Sequence, residues 1–345
     1  MKKLLITVLM VVTATAAAHA QHGHILGPGE LVEAMQKSNT SYVVKSSPDD
    51  SIVRVAISNM FATQRQYTPY PRITQTPDGP TVTSYSWNSE AFDRAEKAFA
   101  ANNYQQALEG YIAELAINPK DYIAIEDIGD CYYHTGKPDS AIMYYDKAIA
   151  LNKLDYQPYL YKADVLYHMK RYEDARQAAI DALTLRPRYI NTRHMLHNMP
   201  LINRDFRDSN FAPHAYAVKN GKDVVLEITS DTMISAWMGY AIGKAIWLGE
   251  PWHRDSLTGS SRMSWTMSHE VECFASLMSL YESERATKRS TDLERLDKIV
   301  SDDLLNAFIL YEIGSRLDQD IMLTVDDNVR QNVRIYVEKY ILPKS

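Results

Sequence analysis

Small residues recur through the middle of the chain with a period of 34 residues. Two series keep this spacing: Ala107, Ala141 and Ala175, and Ala95, Gly129 and Ala163. Side chains this small let two helices approach closely, and Pro119 and Pro187, two periods apart, mark where a second helix ends. The pattern predicts three stacked helical hairpins over 88–121, 122–155 and 156–189, because one hairpin cannot bury its own apolar face.

The aromatic residues follow the same step. Tyr104 and Tyr172 are two periods apart, and Tyr111 and Tyr145 are one period apart, with Ala179 at the next step. With the alanines, this spacing resembles the tetratricopeptide repeat family. The resemblance covers about 88–189 and implies a stack whose first helices line a groove that holds a peptide or a partner helix. The helix predicted over 190–201 would close the end of the stack.

The resemblance also places particular side chains in that groove. They are the carboxylates Glu96, Asp130 and Asp164, the aromatic rings Phe99, Tyr133 and Tyr167, and the imidazoles His134 and His168. Chaperone-binding members of the family carry cationic and amide side chains there to clamp a terminal carboxylate. The acids of this chain would instead favour a segment with Lys or Arg whose apolar parts lie on the rings. The alternative is that these acids are solvated helix faces.

The flanks have other patterns. Helical spacing predicts a helix over 51–63, whereas prolines predict an extended segment over 67–80. Asn220-Gly221 between apolar alternations predicts a β-hairpin. The apolar helix predicted over 233–248 is short for a membrane span and contains Lys244, which favours a buried core helix.

Together these patterns predict a mostly α-helical protein with one short β-hairpin. The expected organisation is a signal peptide (1–20), an irregular extension with one helix (21–87), three repeats with a capping helix (88–202), and a helical C-terminal domain (203–345). No family is identified for the last region.

The first twenty residues have the features of an export signal. Lys2 and Lys3 precede the mostly apolar run of 4–18, and Ala18 and Ala20 occupy the positions that a signal peptidase reads. Cleavage would expose Gln21, and no cysteine follows that could carry a lipid. We therefore expect a secreted or periplasmic protein without stable membrane insertion after cleavage.

The composition and net charge of the chain exclude several classes of protein. The 345 residues are 46% hydrophobic and 23% charged, which excludes wholesale disorder. A formal net charge of −6 argues against nucleic acid as the partner. The two cysteines, Cys131 and Cys273, exclude a disulfide scaffold, but the sequence leaves their pairing open.

A second candidate site is the segment 247–270, which is rich in tryptophan and histidine. Trp252, His253, Asp255 and His269 could line a pocket if the segment is a loop. His269 and Cys273 are one helical turn apart, but no third metal ligand is identified, and the zinc-protease and nucleophile-elbow templates fail. We expect no metal and no cofactor.

The sequence thus favours an exported adaptor or assembly factor that binds a protein or peptide partner. The alternative is a hydrolase or carbohydrate-binding protein that uses the segment 247–270. The residues favour binding over catalysis.

Overall fold

The computed structural model describes residues 25–47, 72–77, 79–83, 89–207, 211–229, 233–262 and 264–344. The amino-terminal segment 1–24, the helix predicted over 51–63 and the tyrosines of 67–71 lie outside these residues. The chain is mostly α-helical, as the sequence predicted.

The helices are numbered here in chain order. They are α1 (Pro28–Lys37), α2 (Glu90–Ala100), α3 (Tyr104–Ile117), α4 (Tyr122–His134), α5 (Pro138–Leu151), α6 (Gln157–His168), α7 (Tyr172–Leu185), α8 (Ile190–His197), α9 (Pro200–Asn203), α10 (Ile234–Gly249), α11 (Pro251–Thr258), α12 (Met267–Glu284), α13 (Thr291–Ser301), α14 (Leu305–Ile309), α15 (Ser315–Leu317) and α16 (Asp327–Tyr336). Two π-helical turns, Leu310–Gly314 and Val337–Ile341, and the 3-10 turn Ile321–Leu323 complete the helical elements of the described residues.

The strands are β1 (Ser41–Ser47), β2 (Arg72–Thr76), β3 (Gly79–Thr83), β4 (Ala215–Asn220) and β5 (Asp223–Thr229). They form a three-stranded sheet in the order β1-β5-β4 and a separate two-stranded sheet, β2-β3. The predicted hairpin is confirmed as β4-β5, with Gly221 at a positive φ of 62° in its turn. The expectation of one hairpin was incomplete, because β1 adds to β5 in parallel and β2-β3 forms a second hairpin.

The described residues form two compact units, and neither is continuous in sequence. The sheet unit comprises 25–47 and 211–313, and the repeat unit comprises 72–207 and 314–344. The sequence suggested a simple division at 202/203. The chain departs from it because residues 314–344 pack on the repeats, whereas 25–47 supplies a strand and a helix to the sheet unit.

In the repeat unit, close approach of paired helices explains the small residues of the 34-residue period. Ala107, Ala141 and Ala175 are fully buried. A Cβ added at Gly129 would lie 2.7 Å from the ring of Tyr145 on α5, so glycine is required where α4 and α5 cross. Packing between these helices, rather than propensity, therefore stabilises each hairpin.

The hairpin β2-β3 packs on the second and third repeats. Ile73 is 1% exposed and belongs to a cluster with Leu154 and Leu185. Its carbonyl accepts hydrogen bonds from Tyr122 Oη at 2.7 Å and Asn152 Nδ2 at 2.6 Å. The described part of the segment predicted to be extended is thus extended.

The end of the repeat stack is covered by more than the predicted capping helix. That helix is present as α8 and α9, but α16 and the turn after it also lie against α7. Arg334 Nε donates to Asp181 Oδ1 at 2.6 Å, and Arg176 donates to the carbonyl of Pro343 at 2.9 Å. Arg176 also pairs with Asp205 at 2.5 Å, and both side chains are less than 10% exposed.

In the sheet unit, α10 packs against α12, β4 and β5. Trp237 and Trp247 of α10 are fully buried, as expected for a central helix. Within the part of the chain that the structure describes, no helix has both the length and the apolar character needed to cross a membrane. β1 is fixed to α10 by Tyr42, whose hydroxyl donates to Glu250 Oε1 at 2.6 Å and lies where any side chain at Gly249 would be.

Candidate functional site on the repeat unit

The three groove carboxylates sit at equivalent positions of α2, α4 and α6, but they do not form a ladder of open charges. Tyr111 of α3 donates its hydroxyl to Glu96, and Tyr145 of α5 donates to Asp130 Oδ1 at 2.5 Å. In both repeats the tyrosine comes 15 residues after the acid. Each pair therefore ties the second helix of a repeat to its first helix.

The third repeat lacks this pairing. The residue that would face Asp164 is Ala179, which is fully buried and has no hydroxyl. Asp164 instead accepts a hydrogen bond from Tyr133 of the preceding repeat and lies 3.5 Å from His168 Nε2. Burial raises the pKa of Asp164 despite both partners, which oppose the rise.

Aromatic and imidazole rings run continuously along the turns that join the two helices of each repeat. The row contains Phe99, Tyr104, Tyr133, His134, Tyr167, His168 and Tyr172, and we call it the ring row. His134 stacks on Tyr104 with centroids 4.4 Å apart and planes 6° apart. Tyr133 lies 6.4 Å from His168, and Tyr167 lies 5.2 Å from Tyr172, so the row spans all three repeats.

The ring row is open to solvent. His134 and Tyr172 are exposed, and the side chain of His168 is 56% exposed. The other members are half-buried. Half-buried rings with exposed edges are suited to binding, since they offer rigid apolar area at a low cost in conformational entropy.

All the residues predicted for the groove are present on this side of the repeats, but with different roles. The rings Phe99, Tyr133 and Tyr167 and the imidazoles of His134 and His168 come together. Of the three acids, Glu96 and Asp130 are engaged by tyrosines within their own repeat. The three acids therefore differ in their partners, and their role in binding stays a prediction.

Four further residues contribute to this surface, although the sequence did not assign them to a site. Tyr104 and Tyr172 are the first residues of α3 and α7, and they extend the ring row at both ends. Tyr111 and Tyr145 bind the two engaged acids. All four belong to the 34-residue aromatic series, so the period contained the signal.

The second predicted site is not assembled. The segment 247–270 was expected to be a loop, but much of it is helical as the end of α10, α11 and the start of α12. Trp252 is 53% exposed and Asp255 is exposed, whereas His253 and His269 are fully buried. Because two of these side chains are exposed and two are fully buried, the four do not converge on one pocket.

The buried groups of this region form a network in the core of the sheet unit. Lys244 donates to Glu270, which also accepts from Tyr240 Oη at 3.1 Å and Trp265 Nε1 at 3.2 Å. His253 Nε2 lies 2.7 Å from Glu272, and both side chains are fully buried.

The remaining histidine of the region, His269, is held by packing. It stacks on Trp247 with centroids 4.3 Å apart. Burial, with Lys244 next in size, holds the pKa of His269 well below its usual range, so the ring is neutral. A fully buried imidazole is not accessible to a substrate from the solvent.

Metal and thiol chemistry have little support in the described residues. No group of three or more His, Cys, Asp or Glu side chains there is arranged to hold a metal ion. Cys131 and Cys273 are both buried and free. Burial raises the pKa of Cys131 to about 12 and that of Cys273 well above its usual range, so neither is a thiolate at neutral pH.

The repeats are similar to a known protein family. A family model described as tetratricopeptide repeat matches residues 92–156 and 135–190. No curated protein matches the chain.

Two solved structures are similar to about a third of this chain. One is the first TPR of Spaghetti (RPAP3) bound to the HSP90 peptide SRMEEVD, at 18% identity over 33% of this chain and 90% of that chain, with a TM-score of 0.31. The other is the Arabidopsis OM64 TPR domain, at 15% identity over 32% of this chain and 92% of that chain, also with a TM-score of 0.31.

Proposed function

We infer that this chain, whose residues 92–190 belong to the tetratricopeptide repeat family, is an adaptor that holds an extended segment of a protein partner on the ring row. The family supports a role in protein–protein interaction. The placement of the partner segment on the ring row is our proposal.

The observation that carries the proposal is the continuity of the ring row across three repeats. Successive centroids lie between 4.4 and 6.4 Å apart from Tyr104 to Tyr172. An extended segment can contact such a row over its whole length, because its side chains project at a regular spacing along the backbone. Stacking and edge contacts would supply the affinity.

Export is part of the proposal. The charged, apolar and small-residue regions of 1–20 support transfer across one membrane and cleavage before Gln21. The adaptor would then act outside the cytoplasm. Mass spectrometry of the protein recovered from its native host tests this: a mature chain beginning at Gln21 supports export, and a full-length chain beginning at Met1 contradicts it.

The binding proposal can be tested with a display library of random twelve-residue peptides. The full chain is the bait, beside a ring variant that carries His134→Ala, His168→Ala and Tyr172→Ala. The matched control is Ile112→Ala, Met143→Ala and Leu151→Ala, which removes three exposed apolar side chains from the second helices of the first two repeats.

The wild-type chain and the control should enrich the same peptides, and the ring variant should lose at least tenfold in enrichment. Equal enrichment by the ring variant would place binding elsewhere and would contradict the proposal. Circular dichroism melting curves establish that the compared proteins are folded.

A further inference from the structure

A single residue difference between the repeats decides what their carboxylates do. The first two repeats have Tyr111 and Tyr145 at the position where the third has Ala179. Each tyrosine donates a hydrogen bond to the acid of its own repeat. Asp164 has no such partner in its own second helix, because alanine cannot donate.

The two groups that contact Asp164 are weak partners, so its carboxylate can accept a further and stronger interaction from a ligand. Tyr133 donates one hydrogen bond, and His168 Nε2 lies 3.5 Å away, which is long for a hydrogen bond. The side chain of Asp164 is 21% exposed, so a ligand can reach it. Burial raises the pKa of Asp164 by more than His168 and Tyr133 lower it.

The surroundings favour a cation as the missing partner. Tyr133 and His168 contact Asp164, and the ring of Tyr167 lies 6.0 Å from that of His168. These rings present faces or edges on which the stem of a long cationic side chain can rest. A guanidinium can bind both oxygens of a carboxylate while it stacks on a ring.

We propose that Asp164 is the point at which the repeat unit recognises a Lys or Arg side chain of the partner segment. Apolar and aromatic neighbours of that residue lie along the ring row towards Tyr104. Glu96 and Asp130 are structural, and they do not contact the partner. This assignment rests on the proposed function, since it presumes that the ring row is the binding surface.

The experiment uses the same random peptide library with three baits, each a full chain: the wild type, Asp164→Asn and Asp130→Asn. The two substitutions are chemically identical and fall at equivalent positions of neighbouring repeats. The readout is the frequency of Lys and Arg at each position of the enriched peptides, relative to the unselected library.

For the wild type, a basic residue should be enriched at least fivefold at one position, next to aromatic or apolar residues. Asp164→Asn should still enrich the aromatic residues but should lose the basic preference. Asp130→Asn should keep both preferences, although it should melt at a lower temperature.

Two other outcomes are distinguishable. If the wild type enriches peptides without a basic preference, or if Asp164→Asn retains one, the assignment of Asp164 is overturned while the ring row remains a binding surface. If the wild type enriches no peptide at all, the proposed function itself is overturned, and the assignment with it.

Discussion

The carboxylates of the two units differ in how deeply they are buried and in which groups they contact. In the sheet unit, Glu270 and Glu272 are at most 1% exposed; Glu270 pairs with the buried ammonium of Lys244, and Glu272 lies 2.7 Å from the buried imidazole of His253. In the repeat unit, Glu96, Asp130 and Asp164 are half-buried, and their tyrosine partners are neutral. The closed network of the sheet unit serves stability, whereas in the repeat unit Asp164, which lacks a tyrosine partner in its own repeat, remains available to a ligand.

The largest effect that would test this contrast is expected in the sheet unit. Glu270→Ala leaves the ammonium of Lys244 buried without its counter-charge, which should lower the free energy of unfolding by about 3–5 kcal/mol. Urea denaturation followed by tryptophan fluorescence would measure it, because Trp237 and Trp247 lie in the same unit. The double variant Lys244→Met, Glu270→Met should recover most of the loss, and equal losses in both variants would contradict the account.

In the repeat unit, the corresponding loss should be smaller. Tyr145→Phe removes the hydroxyl that binds Asp130 but leaves the ring in place, so the free energy of unfolding should fall by about 1–2 kcal/mol. Tyr144→Phe, on the same helix, is the matched control and should change stability by no more than about 0.5 kcal/mol. The same loss from both substitutions would mean that the Tyr145–Asp130 bond contributes nothing.

Asp164→Asn should behave differently from both. Because the folded state raises the pKa of Asp164, folding disfavours its charged form, and this part of the stability is lost as the pH rises through the titration of the carboxyl. At pH 7 the asparagine variant should therefore be as stable as the wild type or slightly more stable, with a gain of up to about 0.5 kcal/mol in the free energy of unfolding. This gain should disappear near pH 3. Melting temperatures across this pH range would measure it, and a clear loss of stability at pH 7 would show that Asp164 is structural.

The two cysteines should show no difference between the units. Both thiols are buried with raised pKa values, so iodoacetamide at pH 7.5 should modify neither in the native protein. Intact-mass analysis should show no adduct before denaturation and two adducts after it in urea. Selective labelling of one cysteine in the native state would reveal that its unit opens locally.

The sequence was most informative where structure repeats. The 34-residue period predicted the three hairpins, because each repeat needs the same small and aromatic residues at the same contacts. The exception at Ala179 was visible in that series. Its consequence was not, since the bond between Tyr145 and Asp130 depends on side-chain directions that spacing does not give.

The sheet unit was least predictable because its contacts join distant parts of the chain. β1 pairs with β5, whose residues lie about 180 positions later, and short strands carry no signal for such a partner. Lys244 was correctly placed in a buried helix, but its partner Glu270 is on another helix and nothing in either local pattern connects them. His253 and Trp252 are neighbours in sequence whose rings lie 5.5 Å apart, yet His253 is fully buried and Trp252 is 53% exposed, a difference that spacing does not give.

The most direct test of the central claim is to observe the exposed imidazoles of the ring row while a partner peptide binds. The most enriched library peptide would be added to the full chain, and the ring-proton NMR signals of His134 and His168, assigned from the single alanine variants, would be followed. We predict that both signals shift in proportion to the fraction bound, while those of the buried His253 and His269 stay constant. Saturable binding that leaves the His134 and His168 signals unmoved would contradict the account.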